Sequence, residues 1–251
     1  MKILIIECGS SKLPTAITTA ASKMIPKPEG ISVMNIALER FNISEFKHML
    51  FHLAPDAIIL DPPSDIHISW SEQNWYLLLQ ETIRHVNMLS SKLVFVSSVE
   101  VLGDTIPRTE TTVVLPYSDE GLMLYSTETM IESRTSRYYI MRFPNTVENS
   151  SVRRWAASQK MVGANESFTL INLEDMAKSI IDKIQTGWFG KYHVTPNDYL
   201  TLSDLIQLEW DTTKQTPNYG LMSKYTWKVA KTREVWDKLV EEVKACAVFL
   251  I

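Results

Sequence analysis

Met1-Lys2-Ile3-Leu4-Ile5-Ile6-Glu7-Cys8-Gly9-Ser10-Ser11-Lys12-Leu13 opens the chain, and its first half decides the fold. Lys2 to Ile6 is a continuous apolar run, the pattern of a strand buried on both faces. The next segment, Pro14 to Met24, is rich in Ala and Thr and reads as a helix. Ser10 or Ser11 is its expected cap and Pro26 its stop. A run so short, followed at once by Glu7, does not read as a secretory signal, which would continue apolar.

The alternation continues outward. Ile31 to Ile36 is a second strand. Ser44 is the expected cap of a helix whose Phe46, Met49, Leu50 and Leu53 recur at helical spacing, and Pro55-Asp56 ends it. Ala57 to Leu60, Leu93 to Val96 and Tyr138 to Met141 are further strands. Helices are expected through Trp75 to Leu89 and near Tyr125 to Ser133. Strands alternating with helices predict an α/β, Rossmann-like doubly wound parallel sheet.

The second part is more mixed. Val152 to Met161 and Leu173 to Gln185 look helical, the latter with Asn172 as its cap. Tyr192 to Val194 is a short strand, and helices are expected after Ser203 and over Glu234 to Ala245. A soft boundary near 145 divides a Rossmann-like domain, 1–145, from a smaller C-terminal α/β subdomain, 146–251. The subdomain is expected over the C-terminal ends of the strands, where such folds bind ligands.

Composition narrows the function. The chain has 251 residues, 45% hydrophobic and 22% charged, with formal net charge −4. That balance argues for a globular protein and against nucleic acid or an anionic membrane as partner. No segment approaches the ~20 apolar residues of a membrane span. Cys8 and Cys246 form no CxxC pair, which fits a reducing compartment; the protein is expected to be cytoplasmic. His48 and His52, one helical turn apart, are weighed as a metal edge, but no HExxH frame surrounds them and a solvated face is favoured, so no metal is expected. His193, in a strand, reads as a structural group. Trp70, Trp75 and Tyr76 read as core or subunit packing ahead of stacking on a base or sugar. The Glu39-Arg40 pair reads as a surface ion pair ahead of a cofactor-selecting site.

The landmarks, in this order, resemble the extended short-chain dehydrogenase/reductase family, and within it the dTDP-4-dehydrorhamnose reductase-like branch that modifies nucleotide sugars. Phe41-Asn42-Ile43-Ser44 resembles that branch's DITD segment and Pro55 to Ile59 its PDVVI strand. Val96-Ser97-Ser98-Val99-Glu100-Val101-Leu102-Gly103 resembles STDYVFDG. Arg142-Phe143, Leu173 to Ala177 and Gly190 to Val194 look like LRTSWVYG, VEDLA and GIYHL. The resemblance implies an NAD(P)-dependent reductase or epimerase. Ser98 and Tyr125 would hold the catalytic positions, and Glu7, Gly9, Ser10, Ser11 and Leu13 the nucleotide loop.

The departures point the other way. Where the family reads TGxxGxxG, the aligned residues are Ile6, Glu7, Ser10 and Leu13. The glycines serve a tight turn, close approach to pyrophosphate and close helix–sheet packing. Glu7 puts a charge beside two phosphates, and Leu13 puts bulk where the helix presses on the sheet. Gly9 reads as a turn residue. In Tyr-x-x-x-Lys the ammonium lowers the phenol pKa; here Thr129 follows Tyr125 at the fourth position and carries no charge. The expectation is a degenerate, non-catalytic binding, regulatory or assembly subunit with no cofactor; the alternative is an active NAD(P)-dependent enzyme with a nonstandard site. The apolar tail Ala247-Val248-Phe249-Leu250-Ile251 is expected to be buried, either on its own subdomain or in a homodimer or partner interface.

Overall fold

The computed structural model describes residues 1–8, 12–24, 26–63, 69–103, 112–147, 167–168, 170–194 and 200–201. A parallel six-stranded sheet organises them. Its strands are β1 (Lys2–Glu7), β2 (Gly30–Asn35), β3 (Ala57–Asp61), β4 (Lys92–Ser98), β5 (Tyr138–Phe143) and β9 (Gly190–His193), in the order β2-β1-β3-β4-β5-β9. Between β5 and β9 lie the short strands β6 (Asn145–Val147), β7 (Ser167–Phe168) and β8 (Leu170–Asn172). β6 pairs with β8, and β7 pairs with β10 (Leu200–Thr201). The sheet therefore takes its last strand from beyond residue 145.

The apolar runs form central strands because both sheet faces are covered. On one face Leu4, Ile6, Ile58, Leu60, Leu93 and Phe95 pack against α2 (Ile43–Leu53), α3 (Ser69–Leu89) and α4 (Asp119–Arg134). On the other, Ile3, Ile5, Ile59, Val94 and Val96 pack against α1 (Leu13–Ala21) and α5 (Leu173–Thr186). The alternation of Ile3, Leu4, Ile5 and Ile6 between the two layers follows from the period of two in a strand. Trp75 is fully buried and donates its indole N–H to Thr127 Oγ1 at 3.0 Å, so it belongs to the core. No described helix is long and apolar enough to cross a membrane.

Several helix limits differ from the sequence reading. α1 starts at Leu13, after Lys12 and without a side-chain cap, and places Pro14 in its first turn, where the missing N–H costs nothing. It ends at Ala21, short of the expected Met24. α2 is capped by Asn42, whose side chain accepts from the N–H groups of Ser44 and Glu45; Ser44 is already inside the helix. The left-handed Ala54 closes α2. α4 begins six residues before Tyr125, at Asp119, because Ser118 accepts from Gly121 N–H at 3.0 Å and so satisfies an otherwise orphaned donor. The expected helices at 152–161, after Ser203 and over 234–245, and the tail 247–251, lie outside the described residues, as do Gly9, Ser10 and Ser11.

Candidate functional site

The strand order places the functional geometry. β1 is followed leftward by β2, while the next strand, β3, returns to the other side of β1. The crevice beyond the C-terminal ends of β1 and β3 is thus the topological switch point, where open α/β sheets bind their ligands. Glu7 ends β1 and Asp61 ends β3, and they are register partners on adjacent strands. Both are buried, with 6% and 9% of their surface exposed. Cys8 follows directly, its N–H donating to the Asp61 carbonyl at 3.2 Å. Burial, together with the charges of Asp61 and Glu7, pushes the Cys8 thiol up to about 12. Two buried carboxylates therefore stand at the floor of the crevice.

Leu13 is 2% exposed and packs with Ile3, Ile5 and Ile17 in the layer between α1 and the sheet. The bulk that stands in a glycine position is absorbed into the core. The three remaining loop positions, Gly9, Ser10 and Ser11, are not described.

Ser98 closes β4 and is half-buried. Its Oγ accepts from Glu100 N–H at 3.2 Å and so caps the single 3₁₀ turn Val99–Leu102. Gly103 follows with φ +58°, and a Cβ there would meet the Leu115 carbonyl, so this end of the turn requires glycine. Tyr125 stands in the second turn of α4, 39% exposed. Thr129 Oγ1 donates to the Tyr125 carbonyl at 2.9 Å, which ties the hydroxyl into its own helix. Tyr125, Ser126, Thr129, Met130, Ser133 and Arg134 line an open depression of about 410 Å³ on the outer face of α4. The start of α4 is tied to the C-terminal edge of the sheet, just past Ser98, by Ser118, whose Oγ donates to Glu100 Oε2 at 3.4 Å.

A second polar constellation lies behind that edge, and the sequence reading did not find it. Arg142 on β5 donates from Nε to Glu128 Oε1 at 2.9 Å and from Nη2 to Glu128 Oε2 at 2.5 Å. Ser97 Oγ donates to the same Oε1 at 2.6 Å. The Nη1 of Arg142 meets His193 Nε2 at 3.1 Å, which makes that nitrogen the acceptor. All four side chains are buried, and His193 Nδ1 has no hydrogen-bond partner. Burial, then the Arg142 and Lys191 charges, lower the imidazole to about 3. The expectation of a structural histidine is met on one nitrogen only. The signal for this cluster was in the sequence: Glu128 falls between Leu124 and Ile131 on the apolar stripe of α4, and Arg142 interrupts an apolar strand.

His48 and His52 lie on the exposed side of α2. Among the described residues, no group of three or more His, Cys, Asp or Glu side chains is arranged to hold a metal ion.

No family model and no curated protein matches the chain. Solved structures do, over nearly its whole length. UDP-glucose 4-epimerase from Thermotoga maritima, solved with UDP-glucose, is similar with TM-score 0.70 at 13% identity, covering 100% of both chains. The dTDP-4-dehydrorhamnose reductase of Bacillus anthracis str. Ames, in complex with NADP, gives TM-score 0.63 at 15% identity over 97% of each chain. WbmG of Bordetella bronchiseptica, in complex with NAD, gives 0.68 at 11% identity over 98% of this chain and 94% of that one. At such identities the likeness is one of fold. The Rossmann-like α/β architecture and the resemblance to sugar-nucleotide reductases and epimerases of the short-chain dehydrogenase/reductase type are met at that level.

Proposed function

We propose that this chain is a reductase-like scaffold without dinucleotide chemistry, working as a non-catalytic binding, regulatory or assembly subunit. One observation carries the reading: Glu7 and Asp61 lie side by side, buried, at the switch point where this fold would receive a pyrophosphate. Carboxylates at this place oppose the approach of phosphate charge by like-charge repulsion. With Leu13 taking the third glycine position into the core, they support the absence of NAD(P). The Thr129 hydroxyl supports the same reading from the catalytic side, because it carries no positive charge and donates to the Tyr125 carbonyl rather than to the phenol.

The competing reading is an active NAD(P)-dependent reductase or epimerase acting on a nucleotide-sugar-like substrate. The full-length likeness to structures solved with NADP and NAD favours it. Thermal unfolding of the full chain with NADPH and NADH separates the two, since a ligand that binds only the folded state raises the midpoint once its concentration exceeds its Kd. No rise up to about 1 mM is expected, whereas a dissociation constant of about 10 μM would add about 2.7 kcal/mol there. A clear rise with either nucleotide overturns the proposal in favour of the enzyme.

A further inference from the structure

Helix α2 carries a feature with no part in the crevice chemistry. His48 and His52 are both exposed and stand one turn apart, so their side chains leave the same face of the helix. Their Nε2 atoms are 3.1 Å apart, with ring centroids at 4.2 Å and planes at 66°. Between neutral imidazoles this is one N–H···N hydrogen bond, one ring donating and the other accepting. When the donor ring carries its proton on Nδ1 instead, both Nε2 lone pairs are free, and rotation of the two exposed side chains turns them toward a shared ion.

The separation is short enough for both nitrogens to reach one ion. With metal–nitrogen bonds of about 2.0–2.1 Å, a 3.1 Å separation subtends an angle of about 100°. That is near the cis angle of a square-planar or octahedral ion. A tetrahedral ion with the same bonds would place the nitrogens about 3.3 Å apart, which two exposed side chains also reach, so the choice of ion follows from the affinity order. Tetragonal nitrogen and oxygen coordination is the preference of Cu²⁺ and Ni²⁺, and Cu²⁺ stands highest in the affinity order of the divalent series. The location suits a cation too. His52 lies in the last turn of α2, where carbonyl ends carry partial negative charge. The nearby Lys47 ammonium is held by Glu81 at 3.2 Å, and the edge of Phe51 packs beside the His52 ring.

We propose that His48 and His52 form a two-donor chelate for a divalent late transition-metal ion, Cu²⁺ before Ni²⁺, with water completing the coordination. The site lies on α2, which leads into the N-terminal end of β3, so it is independent of the crevice at the opposite strand ends. The test is a Cu²⁺ titration of the full chain, read by electron paramagnetic resonance, beside His48→Gln, His52→Gln and the double variant. Both positions are exposed, so the variants are expected to keep the wild-type circular dichroism. One equivalent of Cu²⁺ with two coordinated imidazole nitrogens is expected, and either single change should weaken binding at least about tenfold, the lower end of what even outer-shell changes cost. Equal affinity in wild type and variants overturns the proposal by placing the ion elsewhere, for instance at the amino terminus. Absence of binding at micromolar Cu²⁺, or tighter binding of Zn²⁺ than of Cu²⁺, overturns it as well.

Discussion

Arg142→Met is the most informative single change in the core. It removes the two donors at 2.9 and 2.5 Å from Glu128 and leaves that carboxylate, with no exposed surface, holding only the Ser97 hydroxyl. It also takes away the partner of His193 Nε2. Breaking a buried pair by deleting one member costs about 3–5 kcal/mol, because the remaining charge is uncompensated. A stability of about 5–15 kcal/mol is usual, so the loss is a large share of the total. At roughly 2–4 °C per kcal/mol for a chain of this size, the melting midpoint should fall by about 6–20 °C. The control is Arg142→Met combined with Glu128→Leu, which removes both charges. Replacing a whole buried pair by apolar groups is often neutral, so the double variant should recover about 2 kcal/mol or more relative to the sum of its singles. Urea and thermal unfolding followed by circular dichroism measure both. A loss below about 1 kcal/mol in the single variant, or strict additivity in the double, would refute the account of Arg142 as the counter-charge that allows Glu128 to be buried.

Three further outcomes are expected. The His193 imidazole is lowered to about 3, so the unfolded chain takes up its proton first as pH falls; stability should be full above about 6.5 and decline toward 3, by about 2 kcal/mol at pH 5. His85, lowered by burial and by Arg84, acts in the same direction, and His193→Gln should flatten the larger part of the slope; an unchanged slope in that variant would exclude His193 as its source. Cys8, with its thiol pushed up to about 12, should resist iodoacetamide at pH 8 in the folded protein and react on unfolding, as read by peptide mass spectrometry; equal labelling in both states would contradict the half-buried place beside two carboxylates described for it. Tyr125→Phe should change stability by less than about 0.5 kcal/mol, the range of surface substitutions, and should still complement a deletion strain; loss of complementation by a well-folded variant would count for the catalytic reading.

The amino-acid sequence determined the main strands of the sheet and the helices between them over the first 145 residues. Runs such as Ile3 to Ile6 and Ala57 to Leu60 are short, unbroken and apolar, and Phe46 and Leu50 recur at helical spacing; both patterns are local, so they can be read without knowing what lies alongside. Cap residues were less legible. Ser44, Ser10 and Ser11 all qualify by type, and choosing Asn42 over Ser44 depends on where the backbone first turns helical. The ordered landmarks also led to the fold class and to Glu7, Leu13, Ser98, Tyr125 and Thr129 as positions of interest.

Tertiary structure alone decided what those residues meet. Glu7 and Asp61 are 54 positions apart in the chain, and only the pairing of β1 with β3 makes them neighbours at the crevice. Ser97, Glu128, Arg142 and His193 come from three strands and a helix, each from a different element. Read singly, each is a charge or hydroxyl of unknown exposure. Lateral strand order and helix docking set which faces meet, and those choices rest on contacts distant in sequence that no local period encodes. His48 and His52 show the boundary between the two: the period of the helix put them on one face, and the side-chain conformations in the folded chain set the 3.1 Å between their nitrogens.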